Sequence, residues 1–151
     1  MAISQLLTKR EFLHVGTADK KGRPNAVPKF VLKHEKPQIY LVDFSDGRTI
    51  ANLRINPIAS LSFMDFENLE GYRIDGTVEL LERGAEFKRL AKEMERRVIR
   101  LSADRVIEGS RTGKKFGHYE LEMPDKFIII KFKIGKITKI GARGNFYREN
   151  A

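Results

Sequence analysis

The chain has 151 residues, of which 41% are hydrophobic, with no cysteine and a formal net charge of +9 at pH 7. This length suits one domain, over residues 1–151, with a hydrophobic core, and the composition excludes a disordered chain. The absence of cysteine excludes disulfides, thiol catalysis and thiolate metal sites. No apolar stretch approaches the roughly 20 residues that span a bilayer, and the first residues are too polar for a secretory signal. We therefore expect a cytoplasmic protein without a membrane partner.

The positive charge is concentrated in two segments. Residues 88–115 carry ten basic and four acidic side chains, and residues 126–151 carry seven and one. Basic faces of this kind serve nucleic acids, anionic lipids or phosphorylated ligands, and they also occur as solvated surface.

The first half of the chain predicts short strands around one short helix. The expected elements are a helix over residues 2–10, strands over 11–18, 25–33 and 38–44, and a helical turn over 48–55. Proline cannot donate to a ladder, so Pro28 predicts that something other than a strand faces that position.

The second half contains two more strands, a long helix and a closing pair of strands. Strands are predicted over residues 57–66 and 72–80, an amphipathic helix over 85–101, and strands over 127–134 and 136–140 joined at Gly135. Gly76 lies on the apolar face of its strand, which suggests a bend or a close contact. Residues 102–125 are mixed and polar with glycine interruptions, and within them residues 108–116 predict a basic loop. The tail after residue 140 has no core pattern of its own.

Seven strand candidates with hairpin-like spacing argue against a doubly wound α/β sheet. They predict a mainly β protein, a closed or nearly closed antiparallel barrel with helices on its outside. His14, His34 and His118 are too widely separated for a zinc site, so we expect no metal.

A candidate phosphate site lies where the third strand leads into the short helix. Ser45, Asp46 and Gly47 form a polar turn, and Arg48 and Thr49 begin the helix. A helix N-terminus offers free N–H groups and positive potential, and arginine adds a forked donor set. An Arg-Thr pair at a helix start is also a common surface feature. The neighbouring strand, with Val27, Pro28 and Lys29, would offer backbone groups and apolar side chains to a flat heterocycle.

Three segments resemble the FMN-binding split-barrel family, which includes pyridoxamine 5′-phosphate oxidase and small FMN-binding proteins. They are GRPNAVPKFVLK, IYLVDFSDGRTIANLRINPIASLSF and GYRIDGTVELLERGAEF, and the resemblance covers about residues 11–101. It implies a Greek-key, six- to seven-stranded antiparallel split barrel with peripheral helices. It also implies a homodimer with two FMN sites at the subunit interface.

The resemblance also implies roles for particular residues. Arg48 and Thr49 would contact the FMN phosphate, helped by Lys33, which corresponds to a phosphate-directed lysine of the oxidases. The implied ring contacts are Val27, Pro28 and Lys29, and Phe44 and Ser45 would lie near the ring edge or the ribityl chain. The family's oxidases carry an arginine at the position of Pro28, which argues against vitamin-B6 oxidase activity. The tail residues Arg143, Phe146, Tyr147 and Arg148 would either cover the flavin from the partner subunit or form a frayed terminus.

The sequence thus predicts an FMN-binding flavoprotein, an oxidoreductase or an electron-transfer protein whose substrate and catalytic residues it does not identify. Its partners would be the flavin and a small molecule or redox protein. One alternative is a 5-deazaflavin coenzyme or heme in the same cleft. A second is a basic nucleic-acid-binding module, which the scarcity of aromatic residues within 88–115 disfavours.

Overall fold

A computed structural model describes residues 3–113 and 126–150. The elements in chain order are α1 (Ile3–Thr8), β1 (Phe12–Ala18), β2 (Pro24–Glu35), β3 (Gln38–Asp43), α2 (Arg48–Ile55), β4 (Ile58–Asp65), β5 (Glu70–Leu81), α3 (Ala85–Thr112), β6 (Ile128–Ile140) and β7 (Phe146–Asn150). The chain divides into two compact units, one of Met1–Glu82 with Phe127–Ala151 and one of Arg83–Lys126. All described strands, with α1 and α2, belong to the first unit, and α3 belongs to the second.

The first unit is a closed six-stranded antiparallel barrel with one additional strand. The sheet order is β3-β2-β1-β4-β5-β6-β7, and pairing between β3 and β6 closes the barrel. Since β1, β2 and β3 are consecutive neighbours and β4 returns to lie beside β1, the topology is a Greek key. The predicted fold class is therefore confirmed.

The barrel core is filled by branched and aromatic side chains from alternate positions of the strands. Leu13, Leu41, Leu61, Ile74 and Phe132 come from five different strands and are all almost completely buried. On β4, β5 and β6 the residues on either side of them are polar, as the period of two predicts, whereas β3 is buried at every position after Gln38.

The sixth strand is one continuous element, and the prediction of two strands joined at Gly135 was wrong. β6 pairs with β5 along its length, with β3 through Ile128–Lys133 and with β7 through Lys136–Ile140. A Cβ at position 135 would lie 3.1 Å from the carbonyl oxygen of Asp75. The glycine is the extra residue of a bulge in β6, opposite Asp75 and Gly76 of β5, where it permits a close backbone approach and does not form a turn.

The tail, for which the sequence predicted no core pattern, forms the seventh strand. All five residues of β7 are exposed, and its register is set by antiparallel pairing with β6.

The long helix extends eleven residues beyond its predicted end, so the prediction of a basic loop was wrong for residues 108–112. Ala103, Arg105 and Glu108 are good helix formers, and Gly109 costs only about 1 kcal/mol in a helix interior. The helix ends at Gly113, which adopts the left-handed conformation and donates its N–H to the carbonyl of Gly109 at 2.9 Å. Residues 114–116 of the predicted loop lie outside the described part of the chain. No helix within the described ranges has the length and apolarity needed to cross a membrane.

Candidate functional site

The first half of β2 has a free edge. β1 pairs with β2 from Pro24 to Phe30, whereas β3 pairs with β2 only from Phe30 onward. Within the described residues, Pro24–Lys29 therefore has a strand on one side only. Pro28, which faces His14 of β1, lies in this half.

The free edge is bracketed by side-chain contacts with the segment that follows β3. At one end the Asn25 amide donates to Thr49 Oγ1 at 3.1 Å. At the other end the Lys29 ammonium lies 2.8 Å from Asp43 Oδ2 and 3.4 Å from Ser45 Oγ. The turn after β3 and the start of α2 therefore run alongside the free edge.

A buried ion pair holds this turn in place. The Asp43 side chain is completely buried and that of Lys29 is 11% exposed. Asp43 Oδ1 also accepts from the Ser45 N–H at 2.8 Å, the Ser45 hydroxyl at 2.9 Å and the Asp46 N–H at 3.2 Å. Burial by itself raises the pKa of Asp43, but the bonds from Lys29 and Ser45 outweigh it and hold the pKa below its ordinary value. Asp43 is therefore a carboxylate that organises the turn.

The ion pair predicts that Asp43→Asn destabilises the protein by about 3 kcal/mol at pH 7, because it leaves a buried ammonium unpaired. Folding lowers the pKa of Asp43, so the stability that its ionised form contributes is fully present above its ordinary pKa of 3.8. That contribution is lost as the pH falls through the lower pKa of the folded state. Urea denaturation should show the two proteins converging in stability in acid. The control, Glu82→Gln, breaks an exposed ion pair with Arg54 and should cost less than about 1 kcal/mol. Equal losses in the two variants would contradict a structural role for the buried pair.

The N-terminus of α2 has no internal cap. Gly47 occupies the N-cap position without a capping side chain, and the first turn contains no acidic residue. Arg48 is exposed, and its side chain makes no ion pair or hydrogen bond within the described residues. A cation at the positive end of a helix is unfavourable on its own, so this arrangement suits an anion placed between the two.

Hydrogen bonds and apolar contacts fix the position of α2. Ile50 and Leu53 enter the core, and the buried Asn52 amide donates to Thr17 Oγ1 of β1 at 3.0 Å. The helix ends at Ile55 because the following Asn56 takes an extended conformation, which residues before proline favour.

Seven of the eight residues named from the sequence lie in this region. They are Val27, Pro28 and Lys29 on the free edge, Phe44 and Ser45 in the turn, and Arg48 and Thr49 at the start of α2. Phe44 is partly exposed, and its ring lies 6.3 Å from that of Phe30. Thr49 is buried and bonded to Asn25, so its side chain is already engaged.

Lys33 lies elsewhere in this chain. Along β2 it lies eight residues beyond Asn25, and the rise per residue of a β-strand makes this a separation of about 26 Å. Its ammonium lies 2.9 Å from Glu35 and 5.5 Å from the ring centroid of Tyr40. Within one chain the structure does not bring Lys33 beside Arg48.

Sequence reasoning did not identify Asn25 or Asp43. The available signal for Asp43 was a carboxylate ending an apolar strand directly before a turn, where aspartate commonly accepts backbone N–H groups. Asn25 had no comparable signal, because its partner Thr49 is distant in sequence.

No group of three or more potential metal ligands occurs within residues 3–113 and 126–150. His14 lies on the exposed face of β1 and His34 near the end of β2, whereas His118 lies outside the described residues.

The fold and site define a class of protein: Greek-key barrels in which a free strand edge lies beside an uncapped helix N-terminus. The family model for pyridoxamine 5′-phosphate oxidase matches residues 1–139. The chain belongs to this family, as the resemblance in its sequence suggested. No curated protein matches the chain.

Solved structures share the fold. One is a Clostridium acetobutylicum protein related to general stress protein 26 of B. subtilis, from the pyridoxinephosphate oxidase family. It is 18% identical to this chain with a TM-score of 0.68, and the match covers 98% of this chain and 91% of that one. A pyridoxamine 5′-phosphate oxidase-related, FMN-binding protein from Nostoc punctiforme is 14% identical with a TM-score of 0.60, over 98% and 91% of the two chains.

Other solved structures with this fold are named for other cofactors. A heme-binding protein from Mycobacterium smegmatis is 15% identical with a TM-score of 0.61, over 95% of this chain and 54% of that one. An F420 reductase is 15% identical with a TM-score of 0.59, over 91% and 97% of the two chains. Because identities this low show the fold alone, they leave the choice of cofactor to the site's own chemistry.

Proposed function

We propose that this protein binds FMN and acts as an oxidoreductase or as a flavin-dependent electron carrier. The observation that carries the proposal is the unpartnered Arg48 at the uncapped N-terminus of α2, next to the free edge of β2. A phosphate at this N-terminus would receive the backbone N–H groups of α2 and the guanidinium of Arg48.

The free edge of β2 suits a flat ring that carries polar atoms along its rim and lies next to that phosphate. On its free side Pro28 offers a carbonyl but no N–H, and Ala26 offers both groups, whereas the backbone groups of Val27 and Lys29 point toward β1. The ring edge of a flavin carries both donors and acceptors, so it would replace the missing strand. Phe44 supplies exposed apolar surface next to this edge.

A bound flavin supplies the redox chemistry, accepting a hydride at N5 and passing electrons on. The chain's own residues would bind and orient it. The ammonium of Lys29 is paired with Asp43, so this residue would add little positive potential near the ring. Among the described residues of this region, no hydroxyl is paired with a histidine that could serve as its base, so the proposal names no substrate.

The absorbance spectrum of protein purified without added cofactor tests the proposal. We expect the two visible bands of oxidised flavin, and release of FMN on denaturation. A heme Soret band would contradict FMN and favour the heme alternative. A single near-ultraviolet band with F420 on extraction would favour the deazaflavin alternative, whose coenzyme would place its phosphate at the same helix end. A colourless protein that shifts RNA or DNA in a salt-dependent manner would favour the nucleic-acid alternative.

We also propose that two chains assemble with the flavin sites at their interface. Phe12 and Phe44 flank the buried ring of Phe30 and are 48% and 42% exposed, which places apolar surface beside the site.

Sedimentation at micromolar concentration should show a dimer, and Phe12→Lys should shift it toward monomer because burying a lysine in an apolar interface is unfavourable. The control is Lys20→Gln, in the exposed turn between β1 and β2, which should leave the dimer unchanged. A wild-type protein that sediments only as a monomer would contradict shared sites.

A further inference from the structure

A pocket of about 460 Å³ opens at one end of the barrel. It is bordered by the start of α1, the turn between β2 and β3, and the strands β5, β6 and β7. This volume lies in the range of small-molecule sites, and barrel mouths are a common place for them. His34, on its border, is nine residues beyond Asn25 along β2, about 30 Å at the rise of a strand. The pocket is therefore separate from the region around α2.

The interior of the pocket is apolar and its walls include flat side chains. Ile3, Ile134 and Ile137 line it, with the rings of Tyr72 and Tyr147 beside them. Ile134 is almost completely buried, and Ile137 packs against the barrel core. Such a surface suits the hydrophobic, and particularly the aromatic, part of a ligand.

The rim of the pocket is positively charged. Both Lys36 and Arg148 line it, and their side chains form no ion pair or hydrogen bond within the described residues. A third cation, Lys139, is neutralised by Glu70 at 2.9 Å, and among the described residues Glu149 is the one acidic side chain of the lining. The two uncompensated cations at the mouth therefore favour an anionic group there.

One polar atom at the pocket has no partner. The Nε2 atom of His34 is shielded from solvent and accepts or donates no hydrogen bond within the described residues. Burial, followed by the nearby charge of Lys36, lowers the pKa of His34, so the imidazole is neutral at pH 7. A shielded ring nitrogen without a partner is unfavourable, and a polar group of a ligand would satisfy it.

We propose that the barrel mouth is a second binding site, for a small aromatic anion carrying a carboxylate, sulfonate or phosphate. Its ring system lies on the isoleucines and between the tyrosines, and its anionic group lies at Lys36 and Arg148. A plain inorganic anion does not suit this site, because it leaves the apolar interior empty.

The test uses a pair of fluorescent probes that differ by one charge. 1-Anilinonaphthalene-8-sulfonate carries the sulfonate, and N-phenyl-1-naphthylamine has the same rings without it. Each is titrated into the folded protein as purified with its cofactor. We expect saturable binding of the sulfonate probe, weakened about tenfold in the double variant Lys36→Gln with Arg148→Gln, since two exposed charge contacts are removed. The uncharged probe should change less than twofold.

Two further variants keep the experiment decisive. Lys20→Gln removes an exposed lysine in the turn between β1 and β2, outside the pocket lining, and should bind the sulfonate probe as the wild type does. Ser4→Trp fills the mouth from an exposed position of α1 and should abolish binding of both probes. Circular dichroism establishes that each variant is folded. Unchanged binding in the double variant, or in Ser4→Trp, would overturn the proposal, as would a site abolished by Arg48→Ala alone.

Discussion

Arg48→Ala is expected to weaken FMN binding by more than tenfold. The guanidinium has no partner within the described residues, so its charge is available to the phosphate. A hydrogen bond to a charged group contributes about 1.5–3 kcal/mol, which corresponds to a loss of roughly tenfold or more in affinity. Quenching of flavin fluorescence on titration with apoprotein measures the dissociation constant.

Arg54→Ala is the matched control for this measurement. Arg54 lies in the last turn of the same helix, where its guanidinium forms two hydrogen bonds with Glu82, at 2.7 and 3.0 Å. Its removal should leave FMN affinity within twofold of wild type. If Arg48→Ala binds FMN as tightly as this control, Arg48 does not contact the phosphate and the site must lie elsewhere.

Gly76→Ala is expected to have the largest effect on the fold. A Cβ built at this position would lie 2.1 Å from the carbonyl oxygen of Lys133 and 2.6 Å from the ring of Phe132. Phe132 is completely buried, and the oxygen belongs to the backbone of β6, so neither can move without disturbing the barrel. Overpacking of this kind costs about 3 kcal/mol or more, and thermal unfolding should occur about 10 °C lower.

The same substitution at Gly16 separates this clash from a general effect of alanine. Gly16 also lies in a barrel strand, but its nearest neighbour to an added Cβ is 3.5 Å away, an ordinary contact. Gly16→Ala should change the melting temperature little. If calorimetry gives the two variants the same melting temperature, the close approach of β5 and β6 is not as the structure shows it.

The free edge of β2 explains why prolines occur in a strand of this barrel. An unpaired edge exposes backbone groups that promote association with other strands. Pro24 and Pro28 both lie in the free half, where they remove N–H donors. They limit strand pairing there, while the backbone groups of Ala26 and the proline carbonyls remain on the free side for a ligand.

The local elements of the barrel followed from the sequence alone. The bounds of α2 agree with the prediction, because the polar turn before the helix and the proline after it are both visible in the local sequence. The alternation from Tyr72 to Leu80 predicted the buried face of β5, and the expectation of a close contact at Gly76 is confirmed. These features depend on neighbouring residues, whose periodicity is visible in the chain itself.

Tertiary structure decided the features that join distant residues. The sequence did not show that one strand spans Gly135, because the close approach there belongs to Asp75 on another strand. It did not show that Asp43 is buried against Lys29, or that Lys33 lies far from Arg48 along the same strand. Pairing registers and buried ion pairs depend on which strands meet, and that choice is made by the closure of the whole barrel.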